Sequence, residues 1–155
     1  MSAPRRSDRR QTLPLGRVVM SIAAVAAPVG AVSADWNATH VYNPTWPPHA
    51  KFHNAQTIAL AFAASGLALW QAWRPGPLTR DRLTTTAVYA GLFWATQIPA
   101  PFFPNSAVAD EDNPLQPKRL WVIPINQVTG AVIMMPVLLA AHRLEVRRLA
   151  RAERR

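Results

Sequence analysis

Four long stretches without a charged residue dominate this chain. They cover residues 18–34, 54–73, 83–109 and 120–141. A helix needs roughly 20 mainly apolar residues to cross the hydrocarbon core of a bilayer, with about 17 as the lower limit. A buried bundle in a soluble protein is the alternative, but these stretches offer too little polar surface to cover four apolar helices. The sequence therefore predicts an all-α fold, a polytopic membrane protein with a four-transmembrane-helix bundle.

Prolines and charges set the expected boundaries. We expect helices at about residues 17–35, 48–73, 83–101 and 120–143, within a membrane domain of residues 17–143. Proline fits the first turn of a helix, so Pro48 suits the start of the second one. Residues 1–16 are predicted to be a disordered basic tail, and residues 144–155 a second basic tail that can extend the last helix.

The basic residues predict the orientation. Of 17 lysines and arginines, 14 lie before the first stretch, between the second and third, or after the fourth, and the remaining three are Lys51, Lys118 and Arg119. Positive charge is retained in the cytoplasm. The bias towards arginine and alanine is typical of bacterial chains, so we expect an inner-membrane protein with both termini cytoplasmic. The net charge of +9 then indicates contacts with anionic membrane lipids, and no nucleic-acid partner is expected.

The first apolar stretch also resembles a secretory signal peptide. Arginines precede it, and Val32-Ser33-Ala34 before Asp35 is similar to a cleavage site. We expect the helix to be retained, because a fourth helix completes the bundle. Cleavage would leave the topology of the other helices unchanged.

Residues 35–56 hold most of the polar chemistry of the chain. Three of its four histidines lie there, and a helix starting near Pro48 would place His49, His53 and Gln56 on one face, which we expect to point into the bundle. Two histidines one turn apart can share a metal ion or act as an acid–base pair. Asp35 or His40 could complete either site from the end of the first helix. A structural cap on the helix ends is the third interpretation.

Amide side chains reinforce this prediction. Gln97, Asn126 and Gln127 are expected at a similar depth to Gln56 in the membrane, where polar groups usually face the bundle interior. A ligand site beneath the histidine-rich loop would use these four amides, with Asn43 and Lys51 above them. The absence of cysteine excludes thiol catalysis and thiolate metal sites. The sequence does not identify a cofactor.

The string Asp-Trp-Asn-x-Thr-His, followed by Asn-Pro-x-Trp-Pro-Pro-His-Ala-Lys-Phe-His, spans residues 35–53. It resembles the signature of a small uncharacterised family of four-helix membrane proteins of bacteria and fungi. The resemblance implies four membrane helices and no established activity. In size and helix count the chain is also loosely similar to DoxX-like membrane proteins and to the sterol-isomerase-like fold, but none of their functional residues can be matched here.

Two classes of function remain open from the sequence. The first is a protein that binds or acts on a lipophilic small molecule, such as a quinone, a sterol-like lipid or a fatty chain, at the outer-leaflet end of the bundle. The second is a non-catalytic subunit or assembly factor, with a membrane-protein partner or a second copy of the chain. Clustered histidine, acid and lysine favour the first, and the lack of a cofactor motif favours the second. Whether the protein is an enzyme is not decided by the sequence.

Overall fold

The computed structural model describes residues 13–108, 119–120, 122–124 and 126–154. Four helices account for most of them: α1 (Leu15–Asp35), α2 (Pro48–Trp73), α3 (Arg80–Gln97) and α4 (Gln127–Glu153). A short 3₁₀ helix, Ala100–Phe102, follows α3, and the two-residue strands β1 (Arg119–Leu120) and β2 (Ile123–Pro124) pair antiparallel before α4. The predicted all-α fold with four long helices is confirmed. Most of the predicted amino-terminal tail, residues 1–12, lies outside the described residues.

Several helix boundaries differ from those expected, most of all the end of α3 and both ends of α4. α3 ends at Gln97 rather than near residue 101, because Pro99 and Pro101 cannot continue the backbone hydrogen bonding of an α-helix. α4 begins at Gln127 rather than near residue 120, because β1 and β2 precede it. The Asn126 side chain caps α4 by accepting a hydrogen bond from the Thr129 amide at 2.9 Å. At its other end α4 continues to Glu153 and includes most of the expected tail.

Successive helices run antiparallel and pack in a ring, with α1 against both α2 and α4 and also against α3. The start of α1 meets the end of α2, where Arg17 Nη1 donates to the Ala72 carbonyl at 3.3 Å. The start of α4 meets the end of α3, where Gly130 faces the Trp94 ring. One end of the bundle, the basic end, therefore carries the starts of α1 and α3. The opposite end, the histidine end, carries the ends of α1 and α3.

Small residues on α1 form much of the core. The buried positions of this helix recur every three or four residues: Gly16, Met20, Ala23, Ala24, Ala27, Pro28 and Ala31. Such residues let helix backbones approach closely. The indole nitrogen of Trp94 donates to the Ala23 carbonyl at 3.1 Å, which ties α3 to the middle of α1. α1 is thus an integral part of the described bundle.

Large apolar side chains cover the outside of the bundle. Ile22, Leu60, Val88 and Ile133, one from each helix, all expose more than half of their surface. By length and composition, α1 and α4 are long and apolar enough to cross a membrane. This criterion supports two of the four predicted spans and is weak evidence for membrane association. α2 and α3 do not meet it.

Candidate functional site

The histidine-rich segment separates into two clusters on different sides of α2. His49, His53 and Gln56 share one helical face, as their spacing predicted, and all three are exposed. Asn54 lies on the opposite face, four residues before the buried Ile58 and seven before the buried Ala61. Helical periodicity therefore directs Asn54 towards the bundle and the two histidines away from it.

The outward cluster is a close pair of imidazole rings. The Nε2 atoms of His49 and His53 lie 3.1 Å apart. The Nδ1 atom of His53 lies 3.3 Å from Oε1 of Gln56. Phe52 stacks parallel to the His49 ring at a centroid distance of 6.0 Å and meets the His53 ring edge-on at 5.5 Å. One face of α2 thus supplies both histidines and two side chains that orient them.

The inward cluster joins the end of α1 to the start of α2. His40 Nε2 lies 3.9 Å from the Asp35 carboxylate, and the Asn54 side chain on α2 interacts with the same carboxylate. The amide oxygen of Asn54 is buried and accepts no hydrogen bond from the described residues. Sequence reasoning overlooked Asn54, although its spacing from Ile58 could have identified it.

Asp35 and His40 thus meet each other, and the structure does not bring them to His49 and His53. Among the described residues no group of three or more His, Asp or Glu side chains is arranged to hold a metal ion. The pairs His49–His53 and Asp35–His40 are the sets that the described residues form at this end.

The loop between α1 and α2 is held by its own side chains. Asn37 Oδ1 accepts from the Thr39 amide at 2.9 Å, and Asn43 Oδ1 accepts from the Thr45 amide at the same distance. Asn43 Nδ2 also donates to the Thr39 carbonyl at 3.0 Å. The His40 ring packs edge-on against Trp46. Asn43, predicted to contact a ligand, uses both its amide oxygen and nitrogen within the loop, as the structural-cap interpretation expects.

The four amides expected at one depth divide among three places. Gln97 and Gln127 line the same cavity of about 40 Å³, together with Ser106, Val108 and Val128 among others. Asn126 caps α4, and Gln56 lies outside on α2 beside His53. Lys51 is half-buried. Of the four amides, Gln97 and Gln127 are the two that share a cavity.

A buried carboxylate at the basic end was not anticipated. Glu145 is 1% exposed and accepts a hydrogen bond from Arg148 Nη1 at 2.7 Å, while Arg17 Nε lies 3.6 Å away. This network joins α1 to α4. The sequence contained the signal, because Glu145 follows the buried Leu138 and Ala141 by seven and four residues on the same helical face.

Arg82 fixes the turn between α2 and α3. Its guanidinium is buried and donates to the carbonyl oxygens of Gln71 at 2.6 Å and of Gly76 at 3.2 Å, and also to those of Ala72, Arg74 and Pro77. The carbonyls at the end of a helix lack partners within it, so one arginine satisfies the end of α2. The role of Arg82 is therefore structural.

A larger groove of about 300 Å³ lies between α3 and α4 at the basic end. Its lining combines three arginines, one histidine and two apolar residues, namely Arg80, Arg143, Arg147, His142, Leu139 and Val146. His142 Nε2 lies 3.1 Å from the Thr84 hydroxyl. This mixture of cationic and apolar groups suits the boundary between lipid headgroups and chains.

Comparison with known proteins gave one match. A model described as "Family of unknown function (DUF6640)" matches residues 19–155, which include both histidine clusters and all four helices except the first residues of α1. No curated protein matched the chain. No solved structure matched it either. The match agrees with the expected uncharacterised family and gives no support to the looser similarity to DoxX-like proteins. The chain belongs to the family of unknown function DUF6640.

Proposed function

We propose that this protein is a four-span inner-membrane bundle with both termini in the cytoplasm. The observation that carries this proposal is the exposure of large apolar side chains on the outward faces of all four helices, beginning with Ile22, Leu60, Val88 and Ile133. Contiguous exposed apolar surface on this scale is unfavourable in water. Arg17, Arg74 and Arg143 lie at the basic end, which fits a cytoplasmic location for that end.

The bundle binds the polar head of a lipophilic small molecule at its histidine end. The Gln97–Gln127 cavity supports this part of the proposal, because two amides supply both donors and acceptors in a mainly apolar wall. The cavity volume of about 40 Å³ exceeds the roughly 10–15 Å³ that one water molecule requires on the same measure. It therefore has room for a small polar group such as a carbonyl or hydroxyl. The hydrocarbon part of the molecule would lie against the outer surface of the bundle.

Photoaffinity labelling tests this site. The probes are a fatty acid and a quinone, each with a diazirine next to its polar group, applied to the full chain in lipid nanodiscs. We expect one of them to label residues 97–108 or 127–128, and the double variant Gln97→Leu, Gln127→Leu to lose that label. Gln71→Leu, an amide removed at the basic end, is the matched control and should label normally. Equal labelling of the double variant and the control would contradict the proposal.

A subunit or assembly role is the second candidate, and one observation favours it. Ala55, Ala59 and Ala63 form a stripe of small residues on α2, and all three are exposed rather than packed in the bundle. Gly66 continues the stripe with open space beside it. A transmembrane helix of a partner could approach this face closely. Under this alternative, Ala59→Phe should release a co-purifying membrane protein and leave photoaffinity labelling unchanged.

A further inference from the structure

The imidazole rings of His49 and His53 have the geometry of two ligands of one metal ion. Their Nε2 atoms lie 3.1 Å apart, and the ring planes are inclined at 78°. Metal–imidazole bonds are about 2.0–2.1 Å long. If one ion were bonded to both Nε2 atoms at that length, the nitrogen–metal–nitrogen angle would be about 100°. This value lies between the square-planar and the tetrahedral angle, so copper and zinc can both be accommodated.

Gln56 fixes the orientation and the tautomer of the His53 ring in the form that can bind a metal ion. Its Oε1 atom can only accept a hydrogen bond, so the contact at 3.3 Å places the proton of neutral His53 on Nδ1. The lone pair is then on Nε2, the atom that faces His49. Histidine ligands of metals characteristically donate their second ring N–H to a neighbouring acceptor, which fixes ring orientation and tautomer. Gln56 is in that position relative to His53.

The pair is also accessible and held by its surroundings. Both rings belong to exposed residues, so an ion can reach them without any change in the bundle. Phe52 contacts both rings, parallel to one and edge-on to the other, and restricts their rotation. No other His, Asp or Glu of the described residues joins the pair in a set of three. The remaining coordination positions are therefore available to water or to an external ligand.

We propose that His49 and His53 bind one divalent transition-metal ion, zinc or copper, through their Nε2 atoms. Imidazole nitrogen suits both ions, and affinity for such a site rises towards copper in the first-row series. Gln56 is the positioning residue that orients His53. In the metal-free protein the Nε2–H group of His49 donates to the Nε2 lone pair of His53. Metal binding requires the His49 proton to move to its Nδ1 atom, so that both Nε2 lone pairs face the ion. This site lies on the outside of α2 and is separate from the Gln97–Gln127 cavity.

Titration of the full-length, metal-free protein with zinc tests the proposal, using an affinity tag without histidine. We expect one ion per chain. His49→Gln and His53→Gln should each weaken zinc binding at least about tenfold, since loss of an outer-shell partner alone typically costs 10–100-fold in affinity. His40→Gln and His142→Gln are matched controls, each removing one histidine elsewhere, and should leave the affinity unchanged. All four variants should keep the helical circular dichroism of the parent.

Two measurements distinguish a specific metal site from incidental binding of metal ions to surface histidines. Gln56→Glu should tighten zinc binding, because a carboxylate makes the His53 ring more basic, and Gln56→Leu should weaken it. Copper bound to the parent should show two equivalent nitrogen couplings by electron paramagnetic resonance, and copper bound to His49→Gln should not. Equal zinc affinity for the parent, His49→Gln and His53→Gln would overturn the proposal. So would equal losses in the His40→Gln and His142→Gln controls. Because neither measurement uses a lipophilic ligand, the outcome is independent of the proposed lipophilic site.

Discussion

Gly16 on α1 packs directly against the carbonyl oxygen of Ala141 on α4. A side chain at Gly16 would collide with that oxygen and would bring its Cβ to 2.8 Å from the Cβ of Glu145. Closer contact than about 3 Å between such atoms forces the backbones apart. This contact therefore sets the separation of α1 and α4 at the basic end.

Gly16→Ala should consequently destabilise the bundle. Overpacking a tight site typically costs about 1–3 kcal/mol, and we expect a lower thermal unfolding midpoint in detergent. Gly66→Ala is the matched control, because Gly66 lies within α2 with open space around it. Replacing a helical glycine by alanine at a site without strain usually stabilises by about 0.4–1 kcal/mol. If both substitutions had the same effect, the close contact at Gly16 would not constrain the helices.

Glu145 should contribute strongly to stability through its two arginines. Glu145→Ala removes the buried carboxylate that Arg17 and Arg148 share, whereas the two arginine side chains are themselves partly exposed. Loss of a hydrogen bond to a charged group costs about 1.5–3 kcal/mol, and solvent around the arginines places the expected loss at the lower end of that range. Glu153→Ala removes an exposed carboxylate from the end of the same helix and serves as the control. Chemical unfolding of both variants measures the difference, and equal midpoints would mean that the network is dispensable.

The packing of α1 bears on the mature amino terminus. Ala23 accepts a hydrogen bond from Trp94, and Arg17 contacts Glu145. Removal of the helix would therefore open the core and take away one of the two arginines beside the Glu145 carboxylate. We therefore expect the first helix to be retained in the membrane-inserted protein. Intact-mass measurement of protein purified from membranes would decide this. A mass corresponding to a chain starting at Asp35 would show that the segment is a cleaved signal peptide.

The sequence predicted that His49, His53 and Gln56 share a face, because that follows from helical spacing alone. The expectation that this face points into the bundle was wrong, because all three residues are exposed. In a soluble helix the more apolar side faces the core, but on α2 the larger apolar residues, such as Leu60 and Phe62, are outside. The buried side carries mostly small residues, including Ala61 and Ala68. Hydrophobicity therefore does not distinguish inside from outside on this helix.

The boundaries of α3 and α4 show another limit of the sequence. The predicted fourth helix, residues 120–143, includes Asn126, whereas in the structure Asn126 precedes α4 and caps it. An asparagine can lie either inside a membrane helix or at its N-cap. Because the apolar stretch begins before α4 does, the sequence does not show at which residue the helix starts. Glu145 shows the opposite case, since its spacing from Leu138 and Ala141 placed it on the buried face. The general expectation that charged residues are exposed was the reason to place Glu145 on the surface.

The most direct test of the membrane bundle uses the absence of cysteine, because each introduced cysteine is then the only thiol in the chain. Thr45→Cys and Ala107→Cys place a thiol at the histidine end, and Pro75→Cys places one between α2 and α3; all three positions are exposed. In intact spheroplasts, a membrane-impermeant maleimide should label residues 45 and 107, and should label residue 75 only after permeabilisation. Labelling at residue 75 before permeabilisation would contradict the proposed four-span topology.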